Sequence, residues 1–140
     1  MTIDLSQLNY IAIIVSVVAG QVIGAAWYSP LLFGKTWMTE VGMTAEQVSS
    51  RGSRARAGYM VAILGSLIAA WVMAMLVQLT GAADAVDGIV LGLMIGVGFV
   101  ATAVGVNYMF ESKSMKLFII NAGYPVLSLL VMAVILTLWV

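Results

Sequence analysis

The chain contains no His and no Cys, so the commonest transition-metal ligands and the side chain that most often moves protons at neutral pH are missing. What remains for chemistry inside its apolar stretches is a set of amides, phenols and indoles. Gln21 lies within the first stretch, which Trp27 and Tyr28 close. Asn107 and Tyr108 end the third stretch, and Asn121 and Tyr124 open the fourth. Side chains of these types donate and accept hydrogen bonds without carrying charge, so the chemistry they offer is recognition of a small uncharged or amphipathic solute. Pro125 adds a backbone acceptor to the group. It has no N–H, so the carbonyl four residues earlier, that of Asn121, loses its helical donor. Broken helices that turn such carbonyls toward a cavity bind solutes in many transporters. Two plainer readings compete: Trp and Tyr gather in belts at membrane boundaries, and amides bond across membrane helices as glue at about 0.6–2 kcal/mol each.

Charged groups stay outside those stretches. No Asp, Glu, Lys or Arg interrupts any of the four, which argues against proton-coupled transport and voltage sensing. Asp84 and Asp87 precede the third stretch, but two carboxylates fall short of the six to eight oxygens that calcium takes. Capping of the following helix accounts for them better. The runs of glycine lie within a membrane helix and follow no strand, so no phosphate-binding loop is indicated. We therefore expect no catalytic residue, no metal and no cofactor, and we expect the chain not to be an enzyme, with a lipid-handling reaction as a remote alternative.

The elements that must carry these residues follow from composition. The 140 residues are 63% hydrophobic and 9% charged, with mean hydropathy +1.10, against about 25% charged in soluble domains. A chain this small cannot hide so much apolar surface from water; its solvent is lipid. Four stretches, at about 7–28, 58–80, 88–109 and 117–139, are near the roughly 20 residues that span hydrocarbon, and backbone groups in hydrocarbon must pair internally, which makes each a helix. The ten-residue alternating segments of a membrane barrel are absent. The fold class is all-α: one domain, 1–140, an integral membrane four-helix bundle. Asp4 and the lack of Lys or Arg ahead of the first stretch do not suit a cleaved signal peptide. Lys35, Arg51, Arg54, Arg56, Lys113 and Lys116 all fall in the two loops on one side, and the positive-inside rule makes that side cytoplasmic. The expected location is the cell (inner) membrane, multi-pass, with both termini outside. The arginine cluster suits membrane lipid headgroups and not nucleic acid.

Small residues recur every four positions on three spans and would let another backbone come close. They are Ala12, Ser16, Gly20 and Gly24; then Gly58, Ala62, Ser66, Ala70 and Ala74; then Gly88, Gly92 and Gly96, with Ala103 continuing that face. They pack the bundle internally or make one face of a homo-oligomer or of a complex with a partner membrane protein. The fourth span has no such stripe and is expected at the periphery, facing lipid. Trp71 is expected to fill core space, and the short outer loop at 81–87 makes spans two and three antiparallel neighbours. Ser29 as N-cap and Pro30 at the first helical position predict a short amphipathic interfacial helix over about 30–41, with Phe33, Trp37 and Val41 on one edge and Gly42 ending it. Thr44 and Gln47 fit a capping box.

Trp27-Tyr28-Ser29-Pro30, followed by Leu32-Phe33-Gly34-Lys35 and Trp37, together with Asn107 to Phe110 and Gly123-Tyr124, resembles a family of small bacterial four-helix membrane proteins known as a domain of unknown function. The resemblance covers nearly the whole chain. It implies a multi-pass membrane protein and supplies no activity, cofactor or site. From the residues themselves we expect a small homo-oligomeric membrane protein that binds or passes a solute, by a path between subunits or in a groove facing lipid. The alternative is an accessory subunit of a larger membrane complex.

Overall fold

The structure is a computed structural model that describes residues 2–139. Asp4 caps a short 3-10 turn (Leu5–Gln7), and Asn9 then starts α1 (Tyr10–Trp27) by accepting from the Ala12 amide. Next come α2 (Gly34–Val41), α3 (Ala45–Ser49), α4 (Ser53–Thr80) and α5 (Ala85–Ile95). A π-helical segment, Gly96–Ala101, leads without a break into α6 (Thr102–Phe110), and α7 (Met115–Leu138) closes the chain. The described residues contain no strand. Four helical stretches are long and apolar enough to cross a membrane: Tyr10–Trp27, Ser53–Thr80, Ala85–Phe110 and Met115–Leu138. Their number is the four expected. The second starts earlier than expected and takes Arg54 and Arg56 into its first turn.

Local capping follows the sequence closely. The Thr44 hydroxyl accepts from the Gln47 amide while Gln47 Oε1 accepts from the Thr44 amide, a complete capping box. Gly42 stops α2 at φ 72°, and the Met43 amide reaches back to the Met38 carbonyl at 2.9 Å, a closure that favours glycine because a Cβ crowds the left-handed backbone. Asp84 accepts from the Asp87 amide and Asp87 from the Ala83 amide, so both carboxylates are engaged in capping α5.

The start of α2 differs from expectation. Ser29 is not its N-cap, since its hydroxyl donates to the Ala26 carbonyl and leaves the α2 amides alone. The Phe33 amide donates to the Trp27 carbonyl and the Gly34 amide to the Ser29 carbonyl. This closes a tight reversal over 28–33, and the helix starts only at Gly34. A Cβ at Gly34 would strike the Tyr28 and Ser29 carbonyl oxygens, so the turn needs glycine there. Phe33 then stacks on Trp27 with ring centroids 4.6 Å apart, and Trp37 meets Tyr28 at 6.2 Å.

The fourth span is central, contrary to expectation. α7 packs against α1, α4, α5 and the π segment, and nine of its residues are buried. The reason is steric. A Cβ at Gly88 would lie 2.9 Å from Val134 Cα, one at Gly92 2.5 Å from Leu130 Cα, and one at Gly96 3.1 Å from Val126 Cα. Each step of four along α5 meets a step of four back along α7, an antiparallel contact at backbone distance. Small-residue stripes here receive a bulky helix instead of each other. On α1, Gly20 accommodates Met132 and Gly24 the Tyr124 ring.

Three further expectations change with this arrangement. α4 packs on α1 and α7 and makes almost no contact along α5, so spans two and three part after their shared loop. Trp71 points outward, 40% exposed, because the inner face of α4 carries Ala70 and Ala74, pressed too close for an indole. Ala103 is exposed, while Gly105 faces the Phe118 ring, with a Cβ there at 3.3 Å. The π segment adds a residue to the repeat and rotates everything after it, so the Gly88–Gly92–Gly96 face resumes one position late.

The bundle has chemically distinct ends. At one, the Ser114 hydroxyl donates to Glu40 at 2.6 Å, joining α7's start to α2, and all six basic residues gather at that end. At the other, Asp4 and Gln78 exchange two hydrogen bonds and Asn9 donates to the Trp139 carbonyl, beside Asp84 and Asp87.

Candidate functional site

The end of α1 brings Trp27 and Tyr28 onto the first turns of α7. Tyr28 donates through its hydroxyl to Asn121 Oδ1 at 2.9 Å, and Asn121 Nδ2 donates to the Tyr108 oxygen at 2.6 Å. The Trp27 indole N–H donates to the Ile120 carbonyl at 2.9 Å, and Tyr124 donates to the Gly20 carbonyl at 3.2 Å. The rings support this arrangement, with Tyr28 against Tyr124 at 5.7 Å and Tyr108 against Phe118 at 6.3 Å. Lys113 lies 4.7 Å over the Tyr108 ring and pairs with Glu111 at 2.7 Å; the hydrogen bond to that carboxylate holds the Lys113 ammonium above its ordinary range. Trp27, Tyr28, Tyr108 and Asn121 thus use their polar groups on one another and on backbone. They form a brace between α1, α6 and α7. Asn107 stands apart from them: it is exposed on α6, and its side chain makes no hydrogen bond among the described residues.

The free hydrogen-bonding capacity lies elsewhere. From residue 56 to 65 every position of α4 is exposed. Between it and α5 runs a cleft of about 440 Å³, floored by α7. Gly65, Ser66, Val72 and Met73 form one wall, Ile95 and Val100 the other, and Tyr124, Pro125, Ser128 and Met132 the floor. The lining is apolar except at a few hydroxyls. Ser66 Oγ accepts from Gln21 Nε2 at 2.8 Å, while the same amide reaches the Ala62 carbonyl at 3.5 Å. Ser128 is only 6% exposed, yet its Oγ has no hydrogen-bond partner. A helical Ser usually donates to the carbonyl four residues back, and an unpaired buried hydroxyl costs about 1–3 kcal/mol. Ser66 and Ser128 both flank Gly20, where a Cβ would lie 3.7 and 3.9 Å from their oxygens.

Of the residues singled out from sequence as ligand-binding, Tyr124 lines the cleft and Gln21 reaches it through Ser66; the rest belong to the brace or, for Asn107, to neither. Ser66 was expected only to pack, with Ser16, Gly20, Gly24, Ala62, Gly88, Gly92 and Gly96. Ser16 is fully buried in the bundle, its hydroxyl also unpaired. Ser128 escaped the sequence reading altogether. The available signal was a hydroxyl in the middle of an otherwise aliphatic run, one helical turn past Tyr124.

Residues 11–137 match the family described as "Protein of unknown function (DUF1761)". Neither a curated protein nor a solved structure matches the chain.

Proposed function

The chain belongs to the DUF1761 family of proteins of unknown function, and we propose that it is a multi-pass membrane protein that binds a small uncharged or amphipathic molecule in the lateral cleft between α4 and α5. The observation that carries this reading is the cleft itself, about 440 Å³ between α4 and α5, whose lining is apolar but for a few hydroxyls and holds no charged side chain. The function is binding and not turnover, since no lining side chain is an acid, a base or a thiol. One chain supplies the whole cleft, so a homo-oligomer is not required for binding, and its existence is a separate measurement. The segregation of Lys and Arg to one end supports residence in the cell (inner) membrane with both termini outside. Cysteines placed at Ser6 and Ser53 test the orientation: a membrane-impermeant reagent labels the first in intact cells and spares the second, and the reverse pattern overturns it.

Native mass spectrometry of gently purified protein tests binding. The wild type retains a low-mass adduct that Gly65→Leu loses, because a Cβ at Gly65 meets nothing within 4 Å and a leucine there fills the cleft without disturbing the bundle. Equal adducts on both proteins refute the reading. A stoichiometric protein partner in place of the adduct points instead to an accessory subunit.

A further inference from the structure

Resting on the binding role of the lateral cleft, we infer its ligand: an anionic phospholipid with one acyl chain in the cleft and its phosphate against Arg54. The lining decides the chain. It is apolar, it holds no charged side chain, and its Ser128 oxygen is buried beside Gly20. An occupant therefore presents hydrocarbon to the cleft and carries its polar group beyond one end. The α4 wall runs from Ala62 to Leu76, about 21 Å at 1.5 Å per residue, so the opening is long and narrow, as an acyl chain is. Charge decides which end takes the head. Asp4, Asp84 and Asp87 stand at one end of the bundle without a Lys or Arg, and all six basic residues stand at the other. A phosphate is repelled at the first and attracted at the second.

Helical register selects one cation of the six. Arg54 precedes Gly65 and Val72, both in the cleft wall, by about three and five whole turns at 3.6 residues per turn. It therefore stands on the face of α4 that lines the cleft, whereas Arg56, two residues on, is turned about 160° away. The way from Arg54 to the cleft is open, since a Cβ at Gly58 meets nothing within 4 Å. Depth agrees with register. α4 has 28 residues, about 42 Å against roughly 30 Å of hydrocarbon. Counted from the Gln21–Ser66 contact, Trp27 at the end of antiparallel α1 comes level with about Met60, and Arg54 lies about 9 Å farther out. That is the headgroup side of a boundary indole. Arg54 is exposed and pairs with no carboxylate among the described residues, so its guanidinium is free to meet a phosphate with two parallel N–H groups.

The experiment is native mass spectrometry of the full-length protein in nonionic detergent micelles, with phosphatidylglycerol or phosphatidylcholine of identical acyl chains titrated in. Phosphatidylglycerol is retained about tenfold more tightly than phosphatidylcholine. Arg54→Gln weakens that retention about fivefold, the value of one cation at the headgroup; Arg56→Gln weakens it less, and Gly65→Leu abolishes it. Equal retention of the two lipids, or equal losses from Arg54→Gln and Arg56→Gln, overturns the headgroup seat. Phosphatidylglycerol that survives Gly65→Leu lies outside the cleft and overturns the placement of the chain. A different low-mass adduct that Gly65→Leu removes, with neither phospholipid bound, overturns the ligand class and leaves the cleft occupied. Absence of any adduct sensitive to Gly65→Leu overturns the binding reading itself.

Discussion

Gly92→Ala tests the contact on which the bundle depends. The added methyl would lie 2.5 Å from Leu130 Cα and 3.1 Å from the Leu129 carbonyl oxygen, both backbone atoms that no rotamer change can move. Reaching an ordinary contact distance requires α5 and α7 to separate by about 1 Å at this level. A radial gap of 0.5–1 Å forfeits a quarter to a half of each pairwise attraction, and in lipid that attraction is the main force holding helices together. Overpacking of this kind costs about 1–3 kcal/mol. Gly58→Ala is the control, since a Cβ there meets nothing within 4 Å and alanine favours a helix by about 0.5–1 kcal/mol over glycine. Equilibrium unfolding by SDS in mixed micelles, followed by circular dichroism, should move the midpoint down for Gly92→Ala and up or nowhere for Gly58→Ala. If the two variants unfold alike, α5 and α7 do not meet at backbone distance and the central position of α7 is wrong.

Further outcomes follow from the same geometry. Asn121→Leu removes both bonds of the Tyr28–Asn121–Tyr108 brace, and at roughly 0.6 kcal/mol per interhelical bond it should lower stability in the SDS titration by about 1 kcal/mol while leaving the low-mass adduct intact; a lost adduct at full stability would make Asn121 a ligand contact. Gly34→Ala drives a methyl into the Tyr28 and Ser29 carbonyl oxygens, so the reversal should open and trypsin should cut after Lys35 faster than in the wild type, with unchanged cleavage refuting the tight turn. Asp4 is held below its ordinary carboxylate value of 3.8 chiefly by the Ser6 hydroxyl and then by the Ser6 amide. Its contribution to folding is complete above that ordinary value and fades as pH falls through the lowered one, and Ser6→Ala should move the Asp4 titration in an NMR series upward, toward 3.8. An unmoved curve would mean that the hydroxyl does not hold the carboxylate.

Much of this architecture is written in local chemistry. Four uncharged runs of membrane length required four helices, and the Gly42 stop, the Thr44–Gln47 box and the Asp84–Asp87 cap each depend on neighbours within a few residues, so they could be read directly. The relations between helices could not be read this way. A stripe of small residues states that a backbone can approach without stating which one, and Gly88, Gly92 and Gly96 accept the bulky α7 as readily as another stripe. The same limit applies to the amides. Gln21, Asn107 and Asn121 are alike as hydrogen-bonding groups in sequence, yet one bridges to Ser66, one stays exposed and one ties two tyrosines together.

The cleft is the extreme case, because none of its causes is a motif. It exists because α4 packs on α1 and α7 while α5 packs on α7, which leaves α4 and α5 apart below their shared loop. In water such an opening would collapse around its apolar walls. In lipid the collapse has little driving force, since acyl chains solvate those walls as well as side chains do. The Ser128 hydroxyl behaves differently, because it is buried beside Gly20 of α1 with no partner, which leaves its desolvation uncompensated. A serine at this position therefore lowers stability, by about 1–3 kcal/mol for the unpaired hydroxyl. Ser128→Ala should accordingly raise the midpoint of unfolding in the SDS titration, and an unchanged or lowered midpoint would show that the hydroxyl has a partner after all.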